Sequence, residues 1–111
     1  MTGLSVDAIS PLEVKKKLDA GENLFLLDVR EPWEVEMASI AGAKVIPTYE
    51  LAQRVKEIPR DKEVIVICHV GARSMMSAYY LRRLGYTKVK NMAGGIDLWS
   101  EEVDPSVPKY E

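Results

Sequence analysis

Strand and helix signals alternate along the whole of this 111-residue chain, which predicts an α/β domain with helices on both faces of a mostly parallel sheet. Three observations carry that reading. Two runs, Leu24-Phe25-Leu26-Leu27 and Val64-Ile65-Val66-Ile67, are apolar at every position, as strands covered on both faces require. Helical patterns fall between the strand-like runs and are not gathered at one end. The connections are short, which suits right-handed crossovers.

The elements follow in order. Ser10-Pro11-Leu12-Glu13 opens the first helix, with Ser10 as N-cap, Pro11 in the first turn and Glu13 completing a capping box. Ile9 and Val14 are spaced for a hydrophobic staple, Val14 and Leu18 form the inner face, and Gly21 ends the helix. The Leu24–Leu27 strand comes next. Pro32 starts a short helix that reaches about Met37, and Gly42 to Ile46 form a short strand stopped by Pro47. Thr48 caps a helix on which Leu51, Val55 and Ile58 share one face, and Pro59 ends it. Beyond the Val64–Ile67 strand and a glycine-containing loop, Ser74 opens a helix from Met75 to Leu84, closed by Gly85. Met75, Met76, Tyr79, Tyr80 and Leu81 are expected to be buried on it. Thr87 to Asn91 reads as the last strand, and Gly94-Gly95 turns into a short helix containing Trp99. Trp33 and Trp99 are expected to pack inside. Residues 1–102 form one domain, and 103–111, with Pro105 and Pro108, read as an extended tail lying on the surface or reaching a partner.

Composition narrows the function classes. Hydrophobic content of 47% and charge of 29% are those of an ordinary globular domain. No apolar run is long enough for a membrane span, and Met1 to Leu12 lacks the pattern of a signal peptide. A single cysteine rules out an internal disulfide, so a reducing cytoplasm is the expected compartment. One cysteine and one histidine do not make a zinc site of the usual kind, and no metal or organic cofactor is expected. Residues 68–100 carry five basic side chains (Arg73, Arg82, Arg83, Lys88, Lys90) against one acidic, Asp97. That local excess suits an anionic small substrate or an acidic protein partner, although solvated helix faces account for it equally. Nucleic-acid binding is not expected, because no basic stripe is interleaved with aromatics and the isoelectric point is near 5.5.

The chemistry concentrates at Cys68. A lone cysteine is ordinarily a small buried hydrophobe. This one stands at the carboxyl end of a strand, followed by His69-Val70-Gly71-Ala72-Arg73-Ser74 and a helix. Open α/β sheets bind ligands at that place, and loop amides, a helix amino terminus and an arginine there favour thiolate over thiol. Gly71 permits the tight turn from which successive N–H groups form an anion cradle, and Arg73 adds a planar fork of donors. Two reactions fit: attack on phosphorus, giving a phosphocysteine, or attack on sulfur, giving a persulfide. His69 adjoins the nucleophile, but neighbouring loop residues usually point apart, so it is read as a rim residue.

The loop Cys68-His-Val-Gly-Ala-Arg-Ser74 resembles the C-x-x-G-x-R-S loop of rhodanese-type sulfurtransferases. Leu27-Asp28-Val29-Arg30-Glu31-Pro32 is similar to the family's D-V-R-E-P segment, and Ile40-Ala41-Gly42-Ala43 through Ile46-Pro47 to its H-I-P-G-A…I-P segment. Gly94-Gly95-Ile96 with Trp99 matches the closing G-G…W. The histidine and proline of the usual G-H-I-P-G-A are here Ser39 and Ala41.

The resemblance implies a three-layer α/β/α fold around a five-stranded, mostly parallel sheet. It implies Cys68 as the sulfur carrier, His69 to Ser74 as the substrate cradle, and Asp28 and Arg30 as structural and electrostatic support. The donor it implies is a small sulfur anion such as thiosulfate, and the acceptor a thiol, cyanide or a partner protein. The end of the chain, Val103 to Tyr110, is similar to the ends of rhodanese domains fused to adenylating enzymes, which points to a sulfur-accepting or sulfur-donating protein. Cysteine phosphatases and arsenate reductases share the fold, but their loop has five residues between cysteine and arginine. Here His69, Val70, Gly71 and Ala72 alone intervene, which favours sulfur over phosphorus. A non-catalytic binding module is the remaining alternative, and the retained Cys68 and Arg73 argue against it.

Overall fold

The computed structural model of the protein describes residues 5–111, and residues 1–4, counted into the domain on sequence grounds, lie outside the described residues. Five strands, β1 (Asp7–Ile9), β2 (Leu24–Asp28), β3 (Lys44–Val45), β4 (Glu63–Ile67) and β5 (Val89–Met92), form one sheet in the order β1-β5-β4-β2-β3. Every pairing is parallel. The helices are α1 (Pro11–Asp19), α2 (Pro32–Met37), α3 (Leu51–Arg54), α4 (Ala72–Arg83) and α5 (Gly95–Glu102). This is the α/β architecture with a parallel sheet expected from the alternating pattern, with the five strands that the resemblance implies.

The period of two along β4 explains why its apolar run is unbroken. Ile65 and Ile67 join a core with Val14 of α1, Ile96 and Trp99 of α5, and Leu26 of β2. Val64, Val66 and Cys68 point the other way, into a core with Leu51 of α3, Ala78 and Leu81 of α4, and Leu27. The four β4 side chains Val64 to Ile67 have no exposed surface, so each contributes on the order of 1.5–3 kcal/mol by its burial. Cys68 is the next step in that alternation and therefore faces α3 and α4.

Local signals set the helix entries. The Ser10 hydroxyl accepts from the Glu13 N–H at 3.1 Å while the Glu13 carboxylate accepts from the Ser10 N–H at 3.3 Å, the reciprocal capping box expected at α1.

Several elements differ from the sequence reading. β1 carries no strand signal because only Ile9 of its three residues is buried, and it pairs with β5 alone at the sheet edge. The helix expected over 48–58 is a short α3 flanked by 3-10 turns at Thr48–Glu50 and Val55–Glu57. Leu51 and Ile58 are buried as their spacing requires, so the period reported the inner face and not the hydrogen-bond pattern. α4 begins at Ala72 with Gly71 as its N-cap, which places Ser74 inside the first turn.

The face of α4 that meets the sheet is Ser74, Ser77, Ala78 and Leu81, a stripe at helical spacing whose first members are small. Met75, Met76 and Tyr79 fall off that stripe and are exposed, contrary to expectation. Trp99 is buried, whereas Trp33 is about half exposed on α2.

Truncation separates the two faces of α4. Leu81→Ala is expected to lower the free energy of unfolding in urea by about 2–5 kcal/mol. Met76→Ala is expected to change it by no more than about 0.5 kcal/mol. Equal losses at both positions would contradict the assigned inner stripe.

Candidate active site

The connection leaving β2 runs outward to β3, whereas the one leaving β4 runs the opposite way to β5. The carboxyl ends of these adjacent strands therefore open a crevice, the position at which open parallel sheets hold ligands. Residues 28–34 enter it from β2 and residues 68–74 from β4. The two segments are stitched together where the Val29 N–H donates to the Ile67 carbonyl at 3.0 Å.

Cys68 sits in a closed circuit of hydrogen bonds. The Gly71 N–H donates to Sγ at 3.1 Å, and the thiol donates to Ser74 Oγ at 3.2 Å. The Ser74 hydroxyl in turn donates to Asn91 Oδ1 of β5, and Asn91 Nδ2 donates to the Gly71 carbonyl at 3.3 Å. Asn91 thus ties both ends of the loop to the sheet. The loop also needs Gly71 where it is: φ is +107°, and a side chain there would crowd the Gly94 backbone nitrogen at 3.2 Å.

The amino end of α5 presses on the same loop from below. Ile96 N–H donates to the Cys68 carbonyl at 2.9 Å and Asp97 N–H to the His69 carbonyl at 3.1 Å. A Cβ on Gly95 would come within 2.4 Å of the His69 carbonyl oxygen and 2.5 Å of that of Cys68. Gly95, the second of the double glycine, is therefore a close-approach requirement of the loop that carries the thiol.

Asp28 and Arg30 are almost completely buried and form a fork-shaped ion pair, with Arg30 Nη2 at 2.6 Å from Asp28 Oδ2 and Nε at 2.9 Å from Oδ1. Arg30 also donates to the Ala38 carbonyl at 2.8 Å, the Glu34 carbonyl at 3.3 Å and the Tyr110 hydroxyl at 3.0 Å. Burial opposes its charge, but the bonds to Asp28 and Tyr110 outweigh that and hold the guanidinium more firmly protonated. These two residues brace the crevice: beyond their own pair, their side-chain bonds run to the α2 region and to Tyr110 and not to the sulfur's circuit.

Arg73 is engaged differently from the simple cradle expected of it. Its two terminal nitrogens each donate at 2.7 Å to Glu34, one to each carboxylate oxygen. Glu34 is buried and also accepts from the Tyr110 hydroxyl at 2.8 Å and the Glu31 N–H at 3.0 Å. The Arg73 fork, acting against the cost of burial and helped by the other two donors, pulls the Glu34 carboxyl down to about 2. Glu34, bonded also to Cys68's electrostatic neighbour Arg73, raises that guanidinium still further above its ordinary value.

Of the other loop residues, Val70 is exposed at the rim and Ala72 starts α4. His69 lies flat against the Tyr110 ring, centroids 4.1 Å apart at 14°, with Nε2 at 3.8 Å from an Asp97 carboxylate oxygen. A depression of about 380 Å³ bounded by Thr48, Leu51, Arg73, Met76 and Tyr80 adjoins Arg73 but not the sulfur.

Three site residues escape the sequence reading. Glu34 is signalled only as the N3 carboxylate of α2, Asn91 as a polar residue in a mostly buried strand, and Tyr110 as one aromatic in a tail of prolines and charges. That tail is irregular, but two of its side chains are buried in the core with Trp99, so it is not merely laid on the surface: Val107 is 7% and Tyr110 8% exposed.

Residues 10–102 match the Rhodanese-like domain, and the chain belongs to that family. It is 34% identical over 102 residues to a sulfurtransferase of Allochromatium vinosum, covering 92% of this chain and 95% of that protein. It is 43% identical over 89 residues to the chloroplastic Rhodanese-like/PpiC domain-containing protein 12 of Arabidopsis thaliana, covering 77% of this chain but only 30% of the relative. A rhodanese-related protein from Thermoplasma volcanium has the same fold, with a TM-score of 0.80 at 36% identity, over 87% of this chain and 93% of that one.

Two outcomes test this geometry. Gly95→Ala is expected to displace the Cys68 loop or destabilise the domain, read as a fall in melting temperature; an unchanged melting curve would contradict the close approach. The Glu34 carboxyl, held near 2 when folded against 4.5 when free, contributes stability that is present above about pH 4.5 and lost as the pH falls towards 2. The advantage of the parent over Glu34→Gln in urea unfolding should therefore shrink, by on the order of 3 kcal/mol, between pH 6 and pH 2. A constant difference across that range would rule out the assigned ion pair.

Proposed function

We propose that the chain is a sulfurtransferase that carries sulfane sulfur on Cys68. The observation that carries this reading is the Cys68 sulfur at the carboxyl end of β4, accepting from the Gly71 N–H in a loop with four residues between cysteine and arginine. Family membership and the sulfurtransferase that it matches nearly end to end support the same chemistry. The short loop closes around a single sulfur atom more readily than around a tetrahedral phosphoryl group.

The cycle has two displacements. The Cys68 thiolate attacks the outer sulfur of a donor, for which thiosulfate is the simplest case. A new S–S bond forms, the old one breaks, and sulfite leaves with the bonding electron pair. The outer sulfur of the resulting persulfide lies among the loop amides, in the manner of an oxyanion hole. An acceptor then attacks that outer sulfur and releases the Cys68 thiolate. Cyanide becomes thiocyanate, and a thiol becomes a persulfide. A protein thiol is the acceptor we favour, because Val70, Met75 and Met76 leave exposed apolar surface beside the loop.

Intact-protein mass spectrometry after incubation with thiosulfate, and separately with an organic persulfide, tests the assignment. The parent should gain one sulfur that cyanide removes, and Cys68→Ala should gain none. No gain from either donor, or an equal gain on the alanine variant, would refute it. Arg73→Ala is expected to slow sulfur loading from thiosulfate by about 10- to 100-fold, measured by the same mass shift over time.

A further inference from the structure

We propose that Tyr110, the penultimate residue of the chain, is a positioning residue of the Cys68 site: it fixes the Glu34–Arg73 pair with its hydroxyl and the His69 loop with its ring. This rests on the reading of the Cys68 loop as the reacting site.

The contacts converge on one side chain. The Tyr110 hydroxyl donates to Glu34 Oε1 at 2.8 Å and accepts from Arg30 Nη1 at 3.0 Å, so its single proton is committed and its direction is set. Through Glu34 it reaches Arg73, whose fork is held by both oxygens of the same carboxylate. Its ring lies parallel to His69, the residue that follows the nucleophile, and Trp33 of α2 meets it edge-on at 6.1 Å. Glu34 has two carboxylate oxygens to share among Arg73, Glu31 and Tyr110. Loss of the Tyr110 bond frees the carboxylate to turn, and the guanidinium turns with it.

The segment that delivers Tyr110 is anchored and not draped. The Ser100 hydroxyl donates to the Val107 carbonyl at 2.5 Å, and Val107 is buried. The Val107 N–H donates to the Asp104 carbonyl at 3.0 Å, and Lys109 pairs with Glu101 at 3.0 Å. The bonds from Ser100 and Glu101 tie the segment to α5, the helix whose amino end supports the Cys68 loop. One helix therefore sets the height of the loop at one end and the reach of Tyr110 at the other.

Cys68 is the sole cysteine, so its alkylation rate reports this site alone. Iodoacetate is anionic and iodoacetamide neutral, and the ratio of their rates at Cys68 reads the charge that Arg73 presents there. Tyr110→Phe, which keeps the ring and removes the hydroxyl, is expected to lower that ratio about threefold or more, and in an Arg73→Ala background to change it by less than about twofold. Ile58→Ala serves as the structural control: it hollows the core at a buried residue outside these contacts, lowers the melting temperature and leaves the ratio at the parent value.

Four results would overturn the inference. They are an unchanged ratio in Tyr110→Phe, an equal effect of that substitution with and without Arg73, an equal fall in Ile58→Ala, and a Tyr110→Phe protein that does not fold. Alkylation needs no sulfur transfer. A chain that never forms a persulfide would thus defeat the proposed reaction while this ratio still decides the role of Tyr110.

Discussion

The structure depends on satisfying one guanidinium. Arg30 has no exposed surface, and an arginine does not escape burial by losing its proton. Each of its donors must find an acceptor, because a buried charge left unpaired costs several kcal/mol. The acceptors come from four places: Asp28 at the end of β2, two carbonyls of the α2 region, and the hydroxyl of Tyr110. Meeting that demand bends the chain after β2, sets α2 over the crevice and draws the end of the chain back across the domain. The wall facing Cys68 is a consequence of this arrangement.

From that wall the hydrogen bonds continue through Glu34 to Arg73 of the Cys68 loop. The arginine of the loop is thereby oriented by a carboxylate on a different strand connection, while the sulfur is oriented by Gly71, Ser74 and Asn91. The two sets share no hydrogen bond. One places charge and the other places the Cys68 sulfur, so the loop is supported on both flanks by elements outside it. The proposed displacement at sulfur depends on such support, since a reacting group must be held within a narrow geometry.

Glycine does for the backbone what Arg30 does for the side chains. Gly71 and Gly95 bring the loop and the start of α5 so close that backbone atoms occupy the space of a side chain. The carbonyls of Cys68 and His69 are then capped by α5 amides, and the Gly71 N–H is left to face the sulfur. The Gly94-Gly95 pair, far from Cys68 in sequence, belongs to the same small construction.

Much of this was legible in the residues themselves. The unbroken apolar runs of β2 and β4 fixed a two-sided parallel sheet, because such strands have no polar face to offer water. Ser10, Pro11 and Glu13 fixed the start of α1 through bonds that span only three residues. Cys68 and its loop stood out by spacing, which is the ground for the proposed sulfur chemistry. What only the tertiary structure decided are interactions whose strength depends on distance in space. Glu34 meets Arg73 across 39 residues, Ser74 meets Asn91 across 17, and Tyr110 meets Glu34 across 76. None of these follows from a local period. The exposure of Met75 and Met76 was likewise settled by the sheet, which approaches α4 so closely that small serines, and not the larger apolar side chains, fit against it.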